Sequence, residues 1–271
     1  MIVQPTGQLN KKNLLAIERQ QRILDMLRRD GRVHATDLST EFAVSEDTIR
    51  RDLRSLDETG LLHRVHGGAV LHSPLEADYL VRQNEAVPKK TAIAQAAVRL
   101  VRDGQVIILD GGTTTLQVAR QLPLTLRATV VTNSPAIVLA LDQHPDVEIL
   151  LVGGHIYKHS LVAVSIATVE TLSTIHADLC FLGVCGLHPD VGITVVNAEE
   201  AYVKRAMIAG SEQVAAVATS NKLGTISPYI IGSIERLTHL VTEPGVPEEI
   251  YAQYRSHGVS IVHDRREALP A

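Results

Sequence analysis

The chain has no Trp, two Phe and two Cys among its 271 residues. With so few large rings, its core must be built from aliphatic side chains, which suits an α/β protein with buried Val, Ile and Leu strands. Two cysteines are too few for a disulfide framework or a four-ligand zinc site. Cys180 and Cys185 lie an odd number of residues apart in a strand-like stretch, so they face opposite ways and are expected as buried free thiols. Long apolar runs are also missing: none approaches the roughly 18–20 residues that a membrane span needs. The N-terminus, with Gln4, Asn10, Lys11 and Lys12, lacks a secretory apolar core. A soluble cytoplasmic protein follows as the expectation, with no membrane partner, metal or cofactor.

Nor is there an excess of positive charge. The net charge of −4 taken alone argues against a nucleic-acid binder. The charge is unevenly spread, however. Residues 1–70 carry 11 Lys and Arg against 10 Asp and Glu, and the remainder carries 15 against 20. A slightly basic N-terminal module is compatible with this balance, and the placement of each Arg then matters more than the total.

The length allows two domains. Residues 1–17 read as a disordered lead-in. From Glu18 to Asp30, Ile23, Leu24 and Leu27 recur at helical spacing, and Gly31 ends the run as a C-cap would. Thr36 is expected to cap a short helix through Phe42. Ser45 is expected to cap the next, with Glu46 and Asp47 in its first turn, where acids complement the helix dipole. Gly60 closes that helix. Leu61-Leu62 and Arg64 to Leu71 then read as two short strands around Gly67-Gly68. Helix, helix, turn, helix and hairpin is the order of a winged helix-turn-helix, placed at residues 18–72.

Residues 73–88 are expected as a linker with some helix, and residues 89–271 as a second domain. There, β-rich runs at Val106–Asp110, Thr129–Asn133, Val147–Val152, Leu179–Gly183, Val214–Thr219, His239–Thr242 and Val259–His263 alternate with helical ones. That alternation predicts parallel β-α-β units and a Rossmann-like, doubly wound sheet. The fold class is therefore α/β.

The third helix of the first domain separates its side chains by type. With Ile49 at zero on a wheel of about 100° per residue, Leu53 falls at about 40° and Leu56 at about −20°. Arg51 falls at about 200° and Arg54 at about 140° on the same wheel, with Arg50 and Thr48 on the flanks. Arg suits both phosphate contact and bidentate reading of guanine edges in the major groove. A solvated charged face would look the same on an isolated helix. Here the cluster lies on the third helix of a helix-turn-helix, and a hairpin bearing Arg64 and His66 follows.

At this point the segments Ser45-Glu-Asp-Thr-Ile-Arg-Arg-Asp-Leu-Arg54 and Gly60-Leu-Leu-His-Arg-Val-His-Gly-Gly-Ala69 resemble the DNA-binding domain of the DeoR family of bacterial regulators. The resemblance implies that Ser45, Thr48, Arg50, Arg51 and Arg54 sit at a recognition helix, with Arg64 and His66 near the wing. For His66, a role in fixing the hairpin is an equal alternative.

In the second domain, Val106–Asp110 is followed by Gly111-Gly112-Thr113-Thr114-Thr115 and a helix. The glycines allow a sharp turn, and three hydroxyls plus a helix N-terminus offer donors to an anion. In a parallel sheet this loop lies at the carboxyl end of a strand, where ligands bind. Gly and Thr also make ordinary β-α turns. Thr132-Asn133-Ser134 and Gly153-Gly154-His155 end two more expected strands, and the three loops could converge on one pocket.

This domain resembles the DeoR-family sensor domain, which is itself similar in its sheet to ribose-5-phosphate isomerase and coenzyme A transferases. The matching stretches include Lys90-Thr-Ala-Ile-Ala, Asp110-Gly-Gly-Thr-Thr-Thr115, Val131-Thr-Asn133, Gly153-Gly154, Phe181-Leu-Gly183, Glu199-Glu200 with Val203-Lys204, and Ser220-Asn-Lys222. They imply a phosphorylated sugar or related metabolite as effector. Candidate effector residues are Asp110, Gly112, Thr113, Thr114, Thr115, Thr132, Asn133, Gly153, Gly154, Glu199, Lys204 and Lys222. Lys204 and Lys222 would meet phosphate, and Asp110 would meet sugar hydroxyls or hold the loop. The sequence departs from the family pattern at Thr219, where Asp is usual, at Ala163-Val164 and at Cys185.

The function expected is a repressor of a carbohydrate-metabolism operon, acting on double-stranded operator DNA as a homodimer or higher oligomer. An activator would use the same parts. An isomerase-like enzyme would need a carboxylate at the substrate carbon, and Cys180–Gly186 supplies none, so no catalytic residue is assigned.

Overall fold

The structure is a computed structural model that describes residues 14–263 apart from 31, 60, 66 and 73–77. Gly31, Gly60, His66, Ser73, Pro74 and most of the N-terminal lead-in therefore lie outside the described residues. The chain divides into two compact units, Met1–His72 and Ser73–Ala271.

The first unit contains α1 (Ala16–Asp30), β1 (Arg32–His34), α2 (Ala35–Phe42), α3 (Glu46–Glu58), β2 (Leu62–Val65) and β3 (Gly68–His72). Helix α2 starts at Ala35 with His34 in the cap position, so Thr36 lies inside it rather than capping it. The turn to α3 is made at Ala43, which adopts a left-handed φ of 52°. The Ser39 carbonyl accepts from Val44 N, and Ser39 Oγ donates back to the Val44 carbonyl. Ser45 then caps α3 by accepting from Thr48 N at 3.2 Å.

β3 pairs antiparallel with both β1 and β2, forming the wing. Gly68 is required where β3 meets β1, because a Cβ there would sit 1.9 Å from the Val33 carbonyl oxygen. Ile23, Leu27, Leu38, Ile49, Leu53, Leu56 and Leu62 form one apolar core. Each such side chain contributes about 1.5–3 kcal/mol on burial.

The second unit begins with α4 (Tyr79–Asn84) and α5 (Val87–Ala97), so the stretch expected as a linker contains one helix and the start of another. β4 (Val106–Leu109), α6 (Thr113–Gln121), β5 (Ala128–Thr132), α7 (Pro135–Ala140) and β6 (Val147–Leu151) follow. A hairpin, β7 (His155–Tyr157) and β8 (Val162–Val164), leads to α8 (Ile166–Ser173) and β9 (Ala177–Gly183). Next come β10 (Gly186–His188), β11 (Gly192–Val195), α9 (Ala198–Ala209), β12 (Ser211–Val217), β13 (Thr225–Ile226) and β14 (Tyr229–Gly232). The last elements are β15 (His239–Val241), α10 (Glu248–Arg255) and β16 (Ser260–Val262).

Seven of these strands form a parallel sheet in the order β16-β15-β12-β9-β4-β5-β6. They are the seven β-rich runs of the sequence. Successive residues of β4 serve opposite faces: Ile107 and Leu109 pack with α5, α6 and α7, while Ile108 packs with residues of α8 and α9. The sheet is thus covered on both sides and doubly wound.

Chain order runs outward from β4 in one direction and outward from β9 in the other. The reversal falls between these two neighbours, where β-α loops diverge and leave a crevice at the carboxyl ends of the strands. Cys180 and Cys185 are both free and buried. Among the described residues no helix is long and apolar enough to cross a membrane.

Candidate functional site

Two places concentrate the candidate residues, one in each unit. On α3, Ile49, Leu53 and Leu56 are buried, and Arg50, Arg51 and Arg54 are exposed. Arg50 pairs with Glu46 and Arg51 with Asp47, both at 2.7 Å and four residues apart. Among the described residues, Arg54 and Arg64 have no ion-pair partner. Arg64 is exposed on β2, and Thr48 is half-buried beside Ser45, their hydroxyls 2.9 Å apart.

Asp52 was passed over by the sequence reading, yet it is buried and pairs with Arg19 of α1 at 2.5 Å. Gln20 adds a hydrogen bond to the same carboxylate. The signal was present: on the wheel Asp52 falls at about −60°, on the apolar side, where an acid needs a partner. The pair locks α1 to the back of α3 and leaves the arginine face open.

In the second unit, the crevice between β4 and β9 is lined by Gly111, Gly112, Thr113, Thr114 and Thr115 from one side and by Gly183, Val184 and Cys185 from the other. Gly112 precedes α6 at φ 145° and no side chain caps the helix. The first-turn amides of α6 therefore open toward the crevice. Arg82, Ser160, Glu200, Lys204 and Lys222 complete the polar lining.

Behind the lining lies a buried ion pair. Asp110, 1% exposed, accepts from Lys204 Nζ and from Gly183 N at 2.8 Å. Lys204 Nζ also donates to the Gly183 carbonyl at 3.0 Å. Burial raises the Asp110 carboxyl above its ordinary range, with Lys204 and the Gly183 amide pulling it back. Burial would pull Lys204 down, but Asp110 and Glu200 outweigh it and hold the ammonium above its usual value. Asp110 and Lys204 are thus held as an ion pair, the ammonium with two acceptors and the carboxylate with a second donor. Asp110 thereby ties the end of β4 to β9 and α9.

Lys222 donates to the Val184 carbonyl at 2.6 Å. Arg82, Lys204 and Lys222 face Glu200 and Asp110, which leaves the crevice with one surplus positive charge.

The structure brings together Gly112, Thr113, Thr114, Thr115, Lys204 and Lys222, with Asp110 directly behind Lys204. It does not bring Thr132, Asn133, Gly153, Gly154 or Glu199 to this lining. Thr132 and Asn133 are buried, and Asn133 Nδ2 donates to the Ala163 carbonyl at 3.0 Å. Gly153 and Gly154 are exposed, the Gly153 carbonyl accepting from Thr168 of α8. Glu199 is exposed, and its neighbour Glu200 occupies the crevice instead. Spacing could have told them apart, since Glu200 and Lys204 are four residues apart on one helix face while Glu199 and Lys204 are not. Arg82 and Ser160 had no local signal. Thr219 donates to Asn221 Oδ1 at 2.6 Å. Asp178 lies within β9 at its amino end, accepting from Val106 N at 2.7 Å, far from the carboxyl ends.

Cys180 is fully buried, and burial and the nearby Asp110 push its thiol well up, away from the thiolate form. Among the described residues no cluster of three His, Cys, Asp or Glu is arranged to hold a metal.

Comparison with known proteins gives matches along most of the chain. The family model of the DeoR-like helix-turn-helix domain matches residues 19–74, and that of the DeoR C terminal sensor domain matches residues 85–244. The HTH-type transcriptional regulator GolR of Listeria innocua is 32% identical over 253 residues, covering 92% of this chain and 98% of that protein. The HTH-type transcriptional repressor GlcR of Bacillus subtilis is 34% identical over 229 residues, covering 83% and 88%. Among solved structures, ribose 5-phosphate isomerase A of Methanocaldococcus jannaschii aligns at a TM-score of 0.36 with 16% identity, over 49% of this chain and 52% of that one.

Proposed function

The chain belongs to the DeoR family of transcriptional regulators, and from that premise we propose that it represses a carbohydrate-metabolism operon, with a phosphorylated sugar in the β4–β9 crevice setting its operator affinity. The observation that carries the effector half is the meeting of the Gly111–Thr115 loop, at an uncapped helix N-terminus, with Arg82, Lys204 and Lys222. Backbone amides and a surplus cation suit a phosphate. The threonine hydroxyls, Ser160 and Glu200 suit sugar hydroxyls.

The operator half rests on α3, whose Arg50, Arg51 and Arg54 face away from the core while Ser45 and Thr48 stand at its N-terminus. Residues 18–72 form the DNA reader in this proposal and residues from 89 onward the sensor. A compact half-site reader works as a dimer matched to two half-sites about one turn apart. The protein acts in the cytoplasm, and the effector acts by binding the DNA-competent and incompetent arrangements with different affinity.

A thermal-shift screen of pentose and hexose phosphates against the free sugars, followed by mobility shifts on DNA selected from a random pool, tests this. Stabilisation by a phosphorylated sugar that also changes operator affinity is the expected result. Stabilisation by free sugars alone would overturn the phosphate reading. Because Glu200 places a carboxylate on the lining, any hit is also assayed for isomerisation, and turnover would replace the regulator reading with an enzymatic one.

A further inference from the structure

The three cations of the crevice are not held alike. Lys204 is fixed by Asp110 and the Gly183 carbonyl, and Lys222 donates to the Val184 carbonyl, so both are bound to the ends of the central strands. Arg82 comes from α4, the first described element after residues 73–77, through which the chain passes from the DNA-binding unit. Several polar contacts that dock α4 meet at one residue of the β7–β8 loop, and Lys90 Nζ of α5 also donates to the Arg82 carbonyl at 2.5 Å. His159 O accepts from Tyr79 N at 3.0 Å and from Arg82 Nη2 at 3.2 Å, and His159 Nδ1 lies 2.7 Å from Asp78 Oδ1. The next residue, Ser160, is buried and lines the crevice with Arg82. Outward, α4 leaves Leu80 and Val81 exposed.

We propose that Arg82 is the anion-binding side chain that reports the effector to the DNA-binding unit: a phosphate in the crevice draws the guanidinium off the His159 carbonyl and repositions α4. The proposal rests on the effector reading above. Arginine suits the task because its planar fork can engage two phosphate oxygens at once, which a lysine ammonium does not reproduce. Among the described lining cations it is the one whose backbone belongs to the helix nearest in sequence to the DNA reader, so a ligand that moves it acts on the first helix to follow that unit along the chain. Ligand contacts to Lys204 or Lys222 supply affinity without that displacement.

The test uses the full chain as wild type, Arg82→Gln, Arg82→Lys and Lys222→Gln. Probes are inorganic phosphate, hexose 1- and 6-phosphates and the free hexoses. Two quantities are read: ligand affinity by thermal shift, and the ratio of operator Kd with and without saturating ligand. Lys222→Gln should bind the phosphorylated probe about tenfold more weakly yet keep its operator response once saturated. Arg82→Gln should also bind more weakly, and its operator ratio should stay within about twofold of one at saturation. Arg82→Lys keeps the charge and guards against misfolding, and it should show an intermediate ratio. If no phosphorylated probe stabilises wild type, the effector reading fails and this proposal with it. If wild type responds and both Arg82 variants keep the full ratio, the Arg82 assignment alone is wrong.

Discussion

The two candidate sites are built in opposite ways. On α3 the functional side chains are exposed, and their partners lie four residues away on the same helix. In the crevice they are largely buried, and the central pair, Asp110 and Lys204, is 94 residues apart in sequence. An exposed reading surface can be specified by one helix, because only its own periodicity decides what faces outward. A crevice at a strand-order reversal exists only when the whole sheet has formed. The first kind of site should tolerate loss of a partner, and the second should not.

Lys204→Met tests that difference at its largest. It leaves the Asp110 carboxylate buried without its counter-ion, and breaking such a pair costs about 3–5 kcal/mol. With Lys204 gone, burial is left to raise the Asp110 carboxyl without the ammonium that pulls it back. A carboxyl raised in the folded state is penalised once the unfolded group has lost its proton. The loss should therefore be greatest near neutral pH and shrink as pH falls from the raised value toward the ordinary carboxylate range. Urea unfolding at pH 7.5 and 5 measures both, and pairing Lys204→Met with Asp110→Asn should recover part of the stability. An unchanged midpoint at pH 7.5 would mean that the pair does not hold the crevice together.

The same contrast explains what the sequence disclosed. The Ile49, Leu53 and Leu56 stripe and the arginines opposite are a local pattern, legible because a helix converts spacing directly into facing. The seven parallel strands were legible for a similar reason, each being a short run rich in Val, Ile and Leu. What periodicity could not show was which strand ends meet. Gly111–Thr115 was recognisable as a turn before a helix, but its facing wall, Gly183–Cys185, depends on β9 lying beside β4. Thr132, Asn133 and the Gly153-Gly154 pair also end strands, yet those strands, β5 and β6, lie on the far side of β4 from β9. Arg82 was hidden in a stretch that reads as a linker, and its place depends on hydrogen bonds with His159 and Lys90, neither of which a local pattern discloses.

Within α3, Arg51→Ala should cost about 1–3 kcal/mol of specific operator binding if the guanidinium reads a base edge, while the unit stays folded because Arg51 is exposed. Competition mobility shifts with specific and non-specific DNA decide its role. An equal loss on both would assign Arg51 to phosphate rather than to sequence. Ser45 sharpens the picture by separating folding from contact. Ser45→Ala removes the cap on Thr48 N and should lower stability by about 1 kcal/mol. Ser45→Asp keeps a capping oxygen, so its stability should stay near wild type, and its negative charge should weaken DNA binding if Ser45 faces a phosphate. Undiminished binding of Ser45→Asp would leave Ser45 with the cap alone.

The smallest expected effect discriminates most finely between the two kinds of site. Glu46 pairs with Arg50 on the helix surface, with both side chains well exposed. Such a pair contributes about 0.3–0.5 kcal/mol. Glu46→Gln should therefore shift the unfolding midpoint barely, where loss of the buried partner of Asp110 shifts it strongly. Its effect on DNA should run the other way. In the free protein Glu46 occupies donors of the Arg50 guanidinium, and binding to DNA must break or share that bond while bringing the carboxylate toward a polyanion. Removing its charge frees the arginine and removes a repulsion, so operator affinity should rise modestly at low salt, and the gain should shrink as salt screens it. A salt titration of operator binding for wild type and Glu46→Gln reads this directly. If affinity instead fell at every salt concentration, Glu46 would be orienting Arg50 for the DNA, and the exposed surface would depend on its partners as the crevice does.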